Sequence, residues 1–152
     1  MTASDAYRFN EGSVRIDLDN FTDRTANMLI LGSPESSRMN ITISRDDLKD
    51  GESLPTYVDR QIALMAQRIK GHKVRRRGPA TLGSGAGAIV GECIDATHPN
   101  GSATYYQRQA GFALQGPFAG RVLVFSATRD RPFGDVFDAA WQGLLASFMP
   151  RD

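Results

Sequence analysis

At 152 residues, 41% of them hydrophobic, the chain fits one domain, taken as residues 1–152, whose core needs neither disulfides nor a structural metal. Lys and Arg number 18 against 17 Asp and Glu, a formal net charge of +1, which gives no electrostatic basis for a nucleic-acid or polyanionic partner. The one cysteine, Cys93, excludes an internal disulfide, and with no signal-peptide pattern at the N-terminus and no apolar run of bilayer length, a cytoplasmic protein without stable membrane insertion is expected.

In chain order, residues 7–9 and 13–18 alternate around a turn at Asn10-Glu11-Gly12 and predict a hairpin. A polar connection over 19–23, with Phe21 as its buried aromatic, leads to a strand over 26–31 that is apolar on both faces and ends at Gly32-Ser33-Pro34. Residues 39–44 alternate strictly, with Met39, Ile41 and Ile43 on one side; Asp46, Asp47, Asp50 and Gly51 read as the turn that ends this strand. Ser53 is placed to cap a helix, Pro55 sits in its first turn, Val58, Ile62, Met65 and Ile69 form its stripe, and Gly71 closes it. That stripe is expected to cover the greasy side of the preceding strand.

Residues 72–77 predict a polar strand, Gly78-Pro79 a kink, and 81–87 a glycine-rich turn before a strand over 88–94. His98-Pro99-Asn100-Gly101 reads as a hairpin turn into a strand over 104–114, and 121–127 is the most strand-like run of all. A last helix is expected to start at 130–132, with Phe137, Ala140, Trp141, Leu144, Leu145 and Phe148 as its helical stripe. The predicted fold is α+β: a single antiparallel β-sheet with one inserted helix and one C-terminal helix packed on it.

No constellation for chemistry stands out, and neither catalytic residues nor a cofactor are expected. Gly83-Ser84-Gly85-Ala86-Gly87 lacks the Lys-Ser/Thr ending of a P-loop and precedes a strand, so it reads as a turn. His72 and His98 lie in separate loop-like contexts with no second ligand at metal spacing and read as surface histidines; no metal is expected. Cys93 reads as a small strand residue, and the basic run over 73–77 as the solvated edge of a strand.

The apolar pattern carries more. If Leu29, Leu31, Ile41 and Ile43 pack on the helices, then Ala26, Met28, Ile30 and Thr42 face the other way, on a side too apolar to be simply wet. The run around Val122 and Val124 is likewise greasy on both sides. The N-terminal hairpin or a second copy of the chain could cover that side, or it could form a groove for a partner, with Gln61, Gln107 and Gln109 supplying polar contacts.

Taken together, Tyr7-x-Phe9-x-Glu11-Gly12, Asp23-x-Thr25-x-Asn27, Ile43-Ser44-Arg45, Tyr57-Val58-x-Arg60-Gln61, Gln107-Arg108-Gln109 and Trp141-x-x-Leu144-Leu145-x-Ser147-Phe148 resemble the DcrB-related Eag chaperones of bacterial type VI secretion systems. The resemblance spans nearly the whole chain. It implies a DcrB/PsbP-like sandwich and a cytoplasmic homodimer without catalysis. Such a dimer shields the N-terminal transmembrane helices of a secreted toxin effector of the Rhs or PAAR class before loading on the VgrG spike. Carried over by position, it implies that Ala26, Met28, Thr42, Met65, Ile69 and Tyr105 line the apolar part of a client groove and that Gln61 and Gln109 bond to the client. Ala26 and Thr42 depart from the larger aliphatics typical there, as does Tyr105. A second reading is a non-catalytic DcrB- or PsbP-like adaptor that contacts a folded partner in secretion or envelope assembly.

Overall fold

The computed structural model describes residues 5–16, 24–31 and 39–151. β1 (Asp5–Phe9) and β2 (Gly12–Ile16) pair antiparallel as a small sheet of their own. Six longer-range strands make the main sheet: β3 (Asn27–Leu31), β4 (Met39–Asp47), β5 (Lys73–Leu82), β6 (Ile89–Asn100), β7 (Ala103–Ala113) and β8 (Arg121–Arg129). Their order is β3-β4-β8-β7-β6-β5, and every neighbouring pair is antiparallel. The expected α+β class with an antiparallel sheet is found, but there are two sheets, of two and six strands, where one was expected. The hairpin side chains do not continue the long ladder; Phe9 and Val14 stay about half exposed. The expected connection over 19–23 and the turn at 32–34 lie outside the described residues.

The two helices lie on opposite faces of the six-stranded sheet, which corrects the expectation that one face carries both. α1 (Leu54–Arg68) links β4 to β5 at the far edge, so it must cross over the sheet; its Tyr57, Val58, Ile62 and Met65 pack on Ile94, Val122 and Val124. α2 (Asp135–Ala146) follows β8 and lays Phe137, Trp141 and Leu145 on Phe112, Leu123 and Phe125 of the other face, which also takes Ile41 and Ile43. The stripe of α1 therefore does not cover the Ile41 side of β4. The two greasy sides of β8 have an intramolecular explanation: it is a central strand sandwiched by both helices.

Local chemistry sets the ends of α1. Ser53 Oγ accepts from the Thr56 N–H at 3.3 Å, Pro55 occupies the first turn, and the Ile69 N–H donates to the Met65 carbonyl. Gly71 has φ +78°, and a Cβ there would meet Pro99 Cδ at 2.7 Å, so glycine is required twice over as the chain turns into β5. Arg60 forks onto Glu52, at 3.0 Å from Nε and 2.8 Å from Nη2, and the Lys49 N–H also donates to that carboxylate. These bonds hold the Glu52 carboxyl down at about 2, Arg60 contributing most. A depressed carboxylate stabilises the fold above its ordinary pKa, and the contribution disappears as pH falls from about 4.5 through 2. Glu52→Gln is accordingly expected to flatten the acid limb of the stability profile below about pH 4.5 while leaving its shape near neutrality unchanged, as read by urea midpoints across pH. An acid limb identical in the variant contradicts this linkage.

Four boundaries differ from expectation. β4 runs on through Asp46 and Asp47, because β8 offers a matching ladder as far as Asp47 opposite Arg121. β5 continues through Gly78-Pro79 with no kink: it is an edge strand, where a proline's missing N–H is tolerated, and its irregularity is a bulge between Val74 and Arg76. The β6–β7 strands extend past His98 and Pro99, leaving Gly101 and Ser102 to turn. α2 begins at Asp135, after Gly134, since β8 stays paired through Arg129 opposite Tyr106. Ser84 and the residues through Gly87 do form the short connection expected between β5 and β6.

Candidate binding groove

Registers across the main sheet place one row of side chains on the α1 face from edge to edge: Met28, Thr42, Ser126, Gln109, Ile94 and Arg77. α1 covers only the Ile94 end of that row and the neighbouring Val122 and Val124. The rest forms the floor of a groove on β3, β4, β8 and β7, with α1 as its wall. At the wall the groove deepens into a cavity of about 300 Å³ lined by Gln61, Met65, Gln109, Val124, Tyr57 and Asp46, among others.

Apolar and polar groups alternate along this surface for a simple reason. β3 is apolar from Met28 onward, whereas β4 and β7 present Asn40, Thr42, Ser44, Gln107 and Gln109 to this face and turn Ile41, Ile43, Ala110 and Phe112 to α2. Met28 is 62% exposed and Ile30 40%. Gln61 and Gln109 are half-buried, and among the described residues neither amide has a side-chain hydrogen-bond partner, so the donors and acceptors of both amides are unspent at the cavity. At one end, Tyr57 donates to Asp46 Oδ2 at 2.9 Å, and Asp46 pairs with Arg24 at 3.0 Å. Burial first and this bond second raise the Tyr57 pKa, which keeps the phenol neutral. That end is polar and closed by ion pairs; the β3 end is apolar and open.

Of the residues implied for a client groove, Gln61, Met65 and Gln109 line one cavity. Met28 and Thr42 sit opposite each other in register and extend the same face. Ala26 precedes β3 as exposed coil and is not in a strand as expected. Ile69 caps the end of α1, and Tyr105 shares the face of Gln107 and Gln109 but turns its ring edge to His98, 5.6 Å between centroids, outside the cavity. Ser44 shares the face of Thr42 by alternation along β4 and lines the cavity. Ser126 was missed: it is a single polar residue whose place opposite Thr42 depends on the β4–β8 pairing, which no local pattern announces.

The histidines are corrected too. His98 lies within β6, both rings are half-buried, and burial, with His98 second, lowers the His72 pKa. Neither is a simple surface histidine. Cys93 is a half-buried strand residue on the α2 face; burial pushes its thiol up to about 11, which disfavours the reactive thiolate. In the basic run, Arg77 bonds Glu92 and Asp59, tying β5 to β6 and α1, while Arg75 reaches Thr97 at 3.0 Å. Among the described residues, no helix is long and apolar enough to cross a membrane.

No curated protein matches this chain. Among solved structures it is similar to PA94, a Pseudomonas aeruginosa protein of unknown function, with a TM-score of 0.69, 20% sequence identity and 99% of each chain covered. At that identity the likeness concerns the fold, and it extends over both helices and the sheet. The DcrB family model matches residues 11–147, nearly the whole of the two-helix, six-stranded unit that frames the groove, and the chain belongs to the DcrB family.

Proposed function

We propose that this DcrB-family protein is a binding protein whose groove shields apolar helical segments of a client, as the resemblance to Eag chaperones implies for the N-terminal transmembrane helices of a type VI secretion effector. The supporting observation is the pairing of exposed apolar side chains, Met28 and Ile30, with two unpartnered amides, Gln61 and Gln109, on one open face. A transmembrane segment in water gains roughly 25 cal/mol for each Å² of apolar surface shielded. Segments rich in Gly, Ala and Ser allow close backbone approach, which brings their carbonyls within reach of a glutamine amide. Met28 and Met65 add adaptable surface for differing side chains.

The test is titration of a solubilised, Gly/Ala/Ser-rich transmembrane peptide into the protein. Gln61→Ala combined with Gln109→Ala removes two neutral hydrogen bonds, about 2 kcal/mol together, so affinity is expected to fall roughly 30-fold. Unchanged affinity in the double variant removes these residues from the site. Binding of a folded protein, with no affinity for the peptide, supports the adaptor reading in its place.

A further inference from the structure

On the α2 face, with the sheet between it and the groove, lies a second cavity of about 400 Å³. Its floor is made of the small residues that β5 and β6 turn to this side, Gly78, Ala80 and Cys93, and α2 walls it with Trp141 and Leu145. Side chains this short leave a gap beneath the helix: a Cβ added at Gly78 would meet nothing within 4 Å. The volume is that of a small-molecule pocket.

The charges at one end are unequally spent. Asp95 accepts from Arg108 through both carboxylate oxygens and Asp138 accepts from the remaining arm, so this trio is satisfied within itself. Arg76, opposite Asp95 in the β5–β6 register, makes no hydrogen bond or ion pair among the described residues. Its position follows from the bulge between Val74 and Arg76: Arg75, the extra residue, bonds Thr97, and the register beyond it sends Arg76 to the α2 side and Arg77 to Asp59 on α1. The Trp141 indole N–H likewise has no partner among the described residues. Both are donor-only groups at one cavity, so what the cavity lacks is an acceptor. Cys93 does not supply one, because burial holds its thiol in the neutral form.

We propose that this cavity binds a small monocarboxylic acid with an apolar or aromatic body, its carboxylate on Arg76 and its body between Trp141 and the floor at Gly78 and Ala80. A guanidinium fork matches a planar carboxylate, and the indole and Leu145 gain by covering the apolar remainder. A dianion such as phosphate is disfavoured, because Asp95 and Asp138 together outweigh Arg108 nearby; a cation would face Arg76.

Trp141 is the single tryptophan, so its fluorescence reports on this cavity. Benzoate, hydrocinnamate and octanoate are titrated into the full chain, each beside its primary amide and its amine. At least one acid is expected to change the emission saturably, and its amide to bind about tenfold more weakly. Arg76→Gln is expected to cost the acid a similar factor and leave the amide unaffected. Gly78→Val fills the floor from a position where a Cβ meets no neighbour, and is expected to abolish the response with an unchanged circular dichroism spectrum. Silence toward all three acids, equal affinity for acid and amide, preference for the amine, or an Arg76→Gln variant that binds as the parent does overturns the proposal. The groove is read separately: Gln61→Ala with Gln109→Ala is expected to leave acid binding unchanged, and its loss in that variant places the acid in the groove and overturns the proposal too.

Discussion

Arg108→Ala is expected to lower the unfolding free energy by about 3 kcal/mol, seen as an earlier denaturant midpoint with an unchanged slope. The side chain is 10% exposed and makes three hydrogen bonds to two carboxylates: Nε and Nη2 fork onto Asp95 at 2.7 and 2.9 Å, and Nη1 reaches Asp138 at 2.7 Å. Its guanidinium also lies 4.7 Å from the Phe133 ring centre and 5.4 Å from that of Phe137. Burial opposes the charge, but the two carboxylates outweigh it and leave the pKa above that of ordinary arginine. Asp138 stands in the first turn of α2, so this one residue ties the helix to β6 and β7. Removing it strands two carboxylates beside an apolar layer. Asp138 is 43% exposed and can turn to water, which keeps the loss at the low end for a broken buried pair. Arg108→Lys is expected to recover little, since a single ammonium cannot reproduce the fork. A loss below about 1 kcal/mol for the alanine variant refutes the role given to the cluster.

Gly91→Ala is expected to cost about 3 kcal/mol, and to disturb both faces of the sheet. A Cβ at Gly91 would run into the Gly111 carbonyl oxygen and come within 2.5 Å of Phe112 Cδ1. Neither can yield: one is backbone in a neighbouring strand, and the other belongs to a fully buried ring set edge-on to Phe125 at 6.2 Å. Gly111 also lines the groove, so backbone that moves to admit the methyl alters the cavity floor. The measurement is the urea midpoint alongside near-ultraviolet circular dichroism, which reports on packing around Trp141 and the phenylalanines. A variant with the parent midpoint would mean that β6 and β7 can move apart at this point without loss.

The motif Gln107-Arg108-Gln109 illustrates the division between what was legible and what was not. Alternation in β7 sends the glutamines to the groove and the arginine to the α2 layer, so three adjacent residues serve two unconnected purposes. That Gln109 and Gln61 share a cavity follows only from how far α1 crosses the sheet. The glycine after α1, its Ser53 cap and the apolar stripe are local properties and were read correctly from neighbours in sequence. β4 and β5 were cut short because acidic residues and a proline look like terminators, until a paired strand or a free edge removes the penalty.

Element types, the antiparallel character and the apolar surplus around β3 are legible in the residues alone, because caps, turns and alternation act over a few residues. Only the folded sheet shows that the helices take opposite faces, that α1 accounts for the second greasy side of β8, and that, among the described residues, no strand pairs along the outer side of β3. Those outcomes depend on strand order, and strand order is set by long-range pairing between segments as distant as β4 and β8, whose energies no local pattern encodes.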